Sequence, residues 1–312
     1  MIVRTARNTK IDSPQPIETH PVSLSPTIAS FVKKFHAHKP VRIWSLIVTF
    51  YGDAVVPRGG SLWIGSLIDI MELFDIDAGH VRTAISRLSS DGWLSRIKRG
   101  RASHYRLSKR GEGVFLAATQ RIYFDEQKAF DGNLRIAILE PDLVDPAGTR
   151  RALRDAGFVA LSPSVQLAVA EPPAKLSARK GVYILNNKIG KAERHLASAA
   201  WKLPATAAAY QAFVTQFSPL DAASDRKDLS AQDALVARIL LIHAYRRIVL
   251  RDPGLPSVLL PDDWPGHAAR ALTGRIYRRL LGPSESYLDT HARNEDGPLL
   301  APGGALSRRF AG

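Results

Sequence analysis

The stretch DAGHVRTAISRLSSDGWLSRIKRGRASHYRLSKRG, residues 77–111, decides how the rest of the chain is read. Its first part has the marks of a short, well-delimited helix. Asp77 stands where a side-chain oxygen accepts a hydrogen bond from a free backbone N–H at a helix start. Ile76 and Val81 flank that cap at the spacing of a hydrophobic staple, and Gly92 falls where a left-handed C-terminal cap is expected. At about 3.6 residues per turn, Val81, Ala84, Ile85 and Leu88 share one face, while the other carries Gly79, Arg82, Thr83, Ser86 and Ser90, with Arg87 at its flank. Small polar residues set between arginines are what a DNA major groove admits. Thr83 and Ser86 permit close approach, and Arg82 and Arg87 can reach guanine edges or phosphates. After Gly92 two strands are predicted, 93–98 and 103–107, joined around Gly100, whose missing Cβ permits a positive φ. Ile97, Tyr105 and Leu107 are expected to pack inward, leaving Lys98, Arg99, Arg101 and Arg106 in solvent.

Working outward, VRIWSLIVTF (41–50) predicts a buried helix closed by Gly52, PRGG (57–60) a turn, and 61–74 a second helix with Leu62, Leu67, Ile70 and Phe74 on one side. Helix, turn, helix and basic hairpin together make a winged helix-turn-helix over residues 36–125. Residues 1–35, with Pro14, Pro16, Pro21 and Pro26 and no period over the first part, are read as a flexible arm. Downstream, a helix is expected over 111–124. Strands at 134–139, 158–170 and 181–186, with a helix at 149–157, then suggest a ferredoxin-like α+β domain at 126–190. Residues 191–292 read as helical. Ser230 with Asp233 opens a long amphipathic helix to Leu250 with Leu235, Ile239 and Ile242 on its stripe, and Asp263 precedes a second one, Trp264–Leu281. Residues 293–312, rich in Gly and Pro, are expected to be a loose tail. The fold class is therefore α+β and mainly helical.

The formal net charge is +14 over 312 residues. Between positions 80 and 110 nine basic residues stand against one acid, Asp91. Charge that dense points to a polyanion, since each phosphate neutralised releases a condensed counterion. No cysteine is present, which removes disulfides, thiolate metal sites and thiol nucleophiles, and fits a reducing cytoplasm. No apolar run approaches the roughly 20 residues of a membrane helix, and Arg4, Arg7 and Lys10 are not followed by the apolar block of a secretory leader. Phosphate-binding glycine loops, the dinucleotide fingerprint, a nucleophile elbow and a zinc-protease helix are all missing from the sequence. His36 and His38 lack a nearby third ligand, and His243 and His267 fall on helices as structural histidines.

The segments PRGGSLWIGSLIDIMELFDI (57–76), VRTAISRLSSDGWL (81–94), RGRASHYRLSKRG (99–111) and DPGLPSVLLPDDWPGHAARALTGRIYRRLLGPSESYLD (252–289) resemble the PaaX family of repressors of phenylacetate degradation. The likeness covers about residues 40–290. It implies an N-terminal winged helix, a central Cas2-like domain and a helical C-terminal domain. It also implies a homodimer that binds a palindromic operator in double-stranded DNA and releases it when an aryl-acyl-CoA, typically phenylacetyl-CoA, binds. On that pattern Arg82, Thr83, Ser86 and Arg87 lie on the recognition helix, and Lys98, Arg99, Arg101, Ser103 and His104 in the wing. Where the family tends to carry Trp-Asp-Gly-x-Trp, this chain has Phe130-Asp131-Gly132-Asn133-Leu134.

Such an effector calls for cations against its phosphates and an apolar slot for its acyl group. Arg246, Arg247 and Arg275, with Arg270, Arg278 and Arg279, are the candidate cations, and Trp264 and Tyr277 the candidate slot. Neither a catalytic constellation nor a cofactor or metal site is expected. The alternative is a metal-dependent nucleic-acid-processing enzyme built on the Cas2-like domain. Its carboxylates, Asp131 and Glu140, would stand at opposite ends of one strand, too far apart to share an ion.

Overall fold

The computed structural model describes residues 24–124, 129–225, 229–304 and 306–311. Its first helix, α1 (Pro26–Ala37), starts with proline in its first turn and buries Ile28, Phe31 and Val32, an i, i+3, i+4 stripe. Phe31 stacks on Phe217 with ring centroids 5.2 Å apart. The flexible arm expected at 1–35 is thereby corrected over its last ten residues: three apolar side chains at helical spacing outweigh the proline content. Positions 1–23 of that reading lie outside the described residues.

Helix α2 (Ile43–Phe50) runs on through a π-helical turn, Tyr51–Val55, and a 3-10 turn, Val56–Arg58, to Gly59 and Gly60, both at positive φ. There follow β1 (Ser61–Trp63), α3 (Ile64–Glu72), α4 (Ala78–Ser90), β2 (Leu94–Arg99), β3 (Ala102–Leu107) and α5 (Lys109–Tyr123). The helix expected from residue 61 starts at Ile64 instead, because Ser61–Trp63 pair antiparallel with Arg106–His104 and complete a sheet of order β1-β3-β2.

The central segment contains β4 (Asn133–Leu139), α6 (Pro146–Asp155), β5 (Val159–Ala160), β6 (Val165–Ala168), α7 (Ala174–Ser177) and β7 (Val182–Lys188). These strands form an antiparallel sheet of order β5-β6-β4-β7. The single strand expected at 158–170 is two, separated by a turn at 161–164 in which the Ser162 and Leu161 amides both donate to Val165 O. Ala137, Leu139, Ala168 and Val182 on one face pack with Leu153 and Phe158 into a small core. On the other face Leu134 and Leu167 join the main core.

Four long helices complete the chain: α8 (Lys191–Ala200), α9 (Leu203–Ser224), α10 (Ala231–Val249) and α11 (Pro265–His291). Helix α10 is not amphipathic in its surroundings, for every residue from Asp233 to His243 is buried. It packs on α1, α2, α5, α9 and α11, so one hydrophobic core runs from Ile28 to Phe310. Asp233, read as part of a capping box, also accepts from the Ser25 amide at 3.1 Å and ties α1 to α10. Helix α11 continues ten residues past the expected Leu281, through Pro283, carrying Glu285 and Asp289 to Arg58.

The loose tail expected at 293–312 is also corrected over its described residues, positions 305 and 312 lying outside them. Two short strands, β8 (Arg293–Asn294) and β9 (Gly297–Pro298), pair, and Leu306, Arg309 and Phe310 are buried. Three anchoring side chains override a glycine- and proline-rich composition that favours disorder only where nothing can be buried. Among the described residues no helix is long and apolar enough to cross a membrane.

Candidate nucleic-acid interface

Helix α4 is delimited by local chemistry at both ends. The Asp77 carboxylate accepts from the amides of Gly79 at 2.8 Å and His80 at 3.0 Å, and also pairs with the His80 imidazole. The His80 contacts, backbone first, hold that carboxyl below its ordinary range. Ile76 and Val81 are both buried, as a staple requires. At the far end the Trp93 amide reaches Leu88 O at 2.8 Å and the Gly92 amide Ser89 O at 3.1 Å, with Gly92 at φ +72°. This is the paired bonding of a Schellman cap, and a side chain at 92 would be strained in it.

Between these caps Val81, Ala84, Ile85 and Leu88 are buried, and Arg82, Thr83, Ser86 and Arg87 are exposed. The Thr83 hydroxyl donates to Gly79 O at 3.0 Å. Arg87 lies 3.6 Å from the Asp91 carboxylate, with its guanidinium 5.8 Å from the Trp44 ring centroid, so it is steadied at the edge of the free face. Arg82 has no polar partner among the described residues.

The β2–β3 hairpin closes through Gly100 and Arg101, with Gly100 at φ +57°. Lys98, Arg99 and Arg101 are exposed at its tip. Ser103 is half-buried, and its hydroxyl accepts from Arg96 Nε and Nη2 at 3.0 and 2.7 Å. It therefore presents Arg96, a cation the sequence reading passed over although it alternates with Lys98 along the strand. Arg106, exposed on β3, adds a further charge.

His104 is a correction. It is buried, opposite Ile97 on β2 and Trp63 on β1, and burial holds its imidazole below the ordinary histidine range. A ring packed in the sheet cannot touch a phosphate. The expected inward set is corrected with it. The register pairs Leu94 with Leu107 and Arg96 with Tyr105, whereas Ile97 faces the other way with His104.

The effector candidates are not brought together. Trp264 is buried edge-on to Tyr210, with centroids 5.9 Å apart. Tyr277 is fully buried and donates to the Asp53 carboxylate at 3.1 Å. Arg275 is exposed and pairs with Asp221 on α9 at 3.0 Å. Arg247 is exposed near Arg251 and Arg42. Arg246, partly buried, fastens α10 to α2 by donating to Thr49 Oγ1 at 2.7 Å, Ser45 Oγ at 2.7 Å and Ser45 O at 2.9 Å. Burial lowers its pKa to about 10. The slot expected from Trp264 and Tyr277 is thus corrected: both rings are spent on internal packing.

Next to Arg246, His243 is buried with Nδ1 3.0 Å from Thr49 Oγ1. Burial first, then the charges of Arg246 and Arg247, lower its pKa to about 3. The unfolded chain therefore takes up this proton first. The stability that His243 contributes is complete above about pH 6.5 and is lost as the pH falls toward 3. Between pH 7.5 and 5 the unfolding free energy should drop by about 2 kcal/mol more in the wild type than in His243→Gln. Equal drops in chemical denaturation would exonerate this residue.

The sequence reading missed the largest polar feature, a buried ion cluster around Asp53 in the π-helical turn. The carboxylate meets Arg238 Nε at 2.6 Å and Arg309 Nη1 at 3.0 Å and accepts from Tyr123 at 2.6 Å. Arg238 also pairs with Glu285, which with Asp289 holds the buried Arg58. Arg238 within LVARILLIHAY was the available signal, because a charge inside an apolar run needs a buried partner. The cluster is internal scaffolding. It joins the segment leading into β1, the end of α5, α10, α11 and the tail.

The two carboxylates of the enzymatic alternative are engaged separately. Asp131 pairs with Arg135, which also binds Glu171, and Glu140 accepts from the Tyr183 hydroxyl. Among the described residues no group of three or more potential metal ligands converges.

Residues 42–111 match the PaaX-like protein family, and residues 201–290 match the PaaX-like protein C-terminal domain. The chain is 35% identical over 296 residues to the transcriptional repressor PaaX of Escherichia coli (strain K12), spanning 88% of this chain and 91% of that protein. Among solved structures, the uncharacterized protein Rv0674 from Mycobacterium tuberculosis aligns with a TM-score of 0.44 at 24% identity, over 71% of this chain and 89% of that one.

Proposed function

The chain belongs to the PaaX-like protein family, and we propose that it is a cytoplasmic transcriptional repressor that reads DNA through α4 and the β2–β3 hairpin. One observation carries this reading. A capped helix has its apolar side docked and Arg82, Thr83, Ser86 and Arg87 free, beside a hairpin tip bearing Lys98, Arg99 and Arg101. The order of α2, α3, α4, β2 and β3, with β1 closing the sheet, supports a winged helix-turn-helix in which α4 enters the major groove. The β5-β6-β4-β7 order supports the ferredoxin-like, Cas2-like reading of the central domain.

The regulator acts as a homodimer on an imperfect palindrome whose half-sites lie about one helical turn, roughly 34–36 Å, or a multiple apart. Its genes are those of an aromatic, phenylacetate-type catabolic operon. An aryl-acyl-CoA such as phenylacetyl-CoA releases it, and can do so only through differential affinity for the DNA-competent and incompetent states. The exposed Arg247, beside Arg251, supports binding of the coenzyme's phosphates. Footprinting at the promoter beside its own gene tests this directly. Protection should appear without ligand and disappear with phenylacetyl-CoA, and protection that ignores the ligand rejects the effector.

Arg82→Ala is expected to weaken operator binding by about 1–3 kcal/mol and relax specificity at one position. Arg99→Ala should instead weaken all DNA alike and reduce the salt slope by about 1. Titrations of operator and random duplexes at several salt concentrations separate the two. Equal losses on both duplexes for Arg82→Ala would remove it from base reading.

A further inference from the structure

A second group of cations adjoins α4, on elements other than the β2–β3 hairpin. Helices α2 and α10 pack antiparallel: His243 meets Thr49 at 3.0 Å, and about one turn on Arg246 donates to Ser45 O at 2.9 Å. A further turn in that register brings Arg42, at the start of α2, beside Arg247 and Arg251 at the end of α10. All three are exposed, and none forms an ion pair among the described residues. Partial burial, then the charges of Arg251 and Arg42, hold the Arg247 guanidinium below its ordinary range. No Asp or Glu occurs between Leu24 and Gly52. The nearest carboxylate in sequence to Arg251, that of Asp252, is taken by the Tyr210 hydroxyl and the Gly254 amide, each at 2.7 Å.

Basic residues at a helix end commonly serve its unpaired carbonyls. Here Arg121 on α5 holds that post, donating to Val249 O at 2.8 Å and Asp252 O at 2.5 Å. Arg247 and Arg251 are left to solvent. Three guanidiniums gathered without an anion repel one another, and a polyanion relieves that repulsion. The group is continuous with α4. Trp44, two residues past Arg42, carries the Arg87 guanidinium 5.8 Å from its ring centroid, and Arg87 stands at the edge of the free face of α4. We propose that Arg42, Arg247 and Arg251 form a second DNA-backbone contact, through which the end of α10 holds phosphates of the same duplex that α4 enters. This rests on the repressor reading above and adds the C-terminal helices to the DNA surface. Contacts of this kind carry no base information but fix how the duplex lies on the protein. The phosphates of coenzyme A offer the same chemistry to Arg247, so the coenzyme is one arm of the test.

Full-length protein is titrated, over a range of salt concentrations, with the promoter fragment beside its own gene and with a random duplex of equal length. Each phosphate contact contributes about 0.9 to the slope of log affinity on log salt. R42Q/R247Q/R251Q should therefore lower that slope by about 2–3 on both duplexes. R150Q/R151Q/R154Q, an equal loss of charge from exposed positions on α6, should leave it unchanged. Glutamine keeps most of each stem, and both triples should unfold at the wild-type temperature. Should the first triple not fold, Arg247→Gln alone is read, with an expected fall of about 0.9. An unchanged slope in the first triple overturns the contact, as does an equal fall in the α6 triple. If the first triple keeps the slope but loses calorimetric binding of coenzyme A, the arginines belong to the coenzyme and the DNA contact is overturned. Wild type that binds neither duplex would sink the repressor reading along with this contact, whereas an unchanged slope in a protein that binds DNA removes this surface alone.

Discussion

Asp53→Ala is expected to cost the folded chain about 3–5 kcal/mol, the range found when one partner is removed from a buried ion pair. The carboxylate is fully buried, and Arg238 and Arg309, both buried, depend on it at 2.6 and 3.0 Å. The phenols of Tyr123 and Tyr277 lose an acceptor at the same time. Water cannot take over without opening the junction of α5, α10 and α11. Since a domain's net stability is about 5–15 kcal/mol, this one change would remove a large share of it. Asp53→Asn, which keeps an acceptor and loses the charge, should fall between wild type and alanine. Urea denaturation midpoints give the answer, and a loss below about 1 kcal/mol for alanine would mean that the arginines find other partners.

Phe310→Ala should be comparably damaging, at about 3–5 kcal/mol for a large aromatic deleted from a packed site. Its ring centroid lies 5.4 Å from Tyr123, 5.3 Å from Tyr277 and 6.0 Å from Tyr245, with the Arg270 guanidinium 5.5 Å away. Its amide donates to Tyr123 O at 3.0 Å. The adjacent Arg309 is committed to Asp53 and the Tyr123 ring and cannot refill the space, while Arg308 and Ala311 are exposed. Arg308→Ala is the matched control and should stay within about 0.5 kcal/mol of wild type. If thermal unfolding of the two variants coincides, the tail does not plug the core.

Helix α4 was legible because its instructions are local: cap, staple, apolar face and terminal glycine all fall between Ile76 and Gly92. The β2–β3 hairpin was legible in kind but not in phase. The predicted strands left four residues in the loop where the structure has two, and register, not composition, decides whether Ile97 or Tyr105 points inward. The strand Ser61–Trp63 was illegible, since its partner lies more than forty residues downstream and three residues carry no period. The tail and the Asp53 cluster escaped for the same reason. Arg238 and Arg309 take their meaning from a carboxylate in another part of the chain. The effector residues were chosen by charge and aromaticity, which do not separate a lining side chain from a core one. The Phe115 ring can lie against residue 52 only because Gly52 lacks a side chain, and that contact depends on which helices meet there.

The bond from Arg309 to Asp53 joins residues 256 positions apart. On a ribosome adding roughly 5–20 amino acids per second, Asp53 is made about 13–50 s before that partner. Arg238, 185 positions on, arrives earlier, so the carboxylate gains its counter-charges in two instalments. Through this interval the half of the chain that contains α4 lacks the closing contacts of Arg309 on Asp53 and the Tyr123 ring. A nascent chain stalled before residue 309 would therefore carry an assembled α4 on a scaffold still open to water.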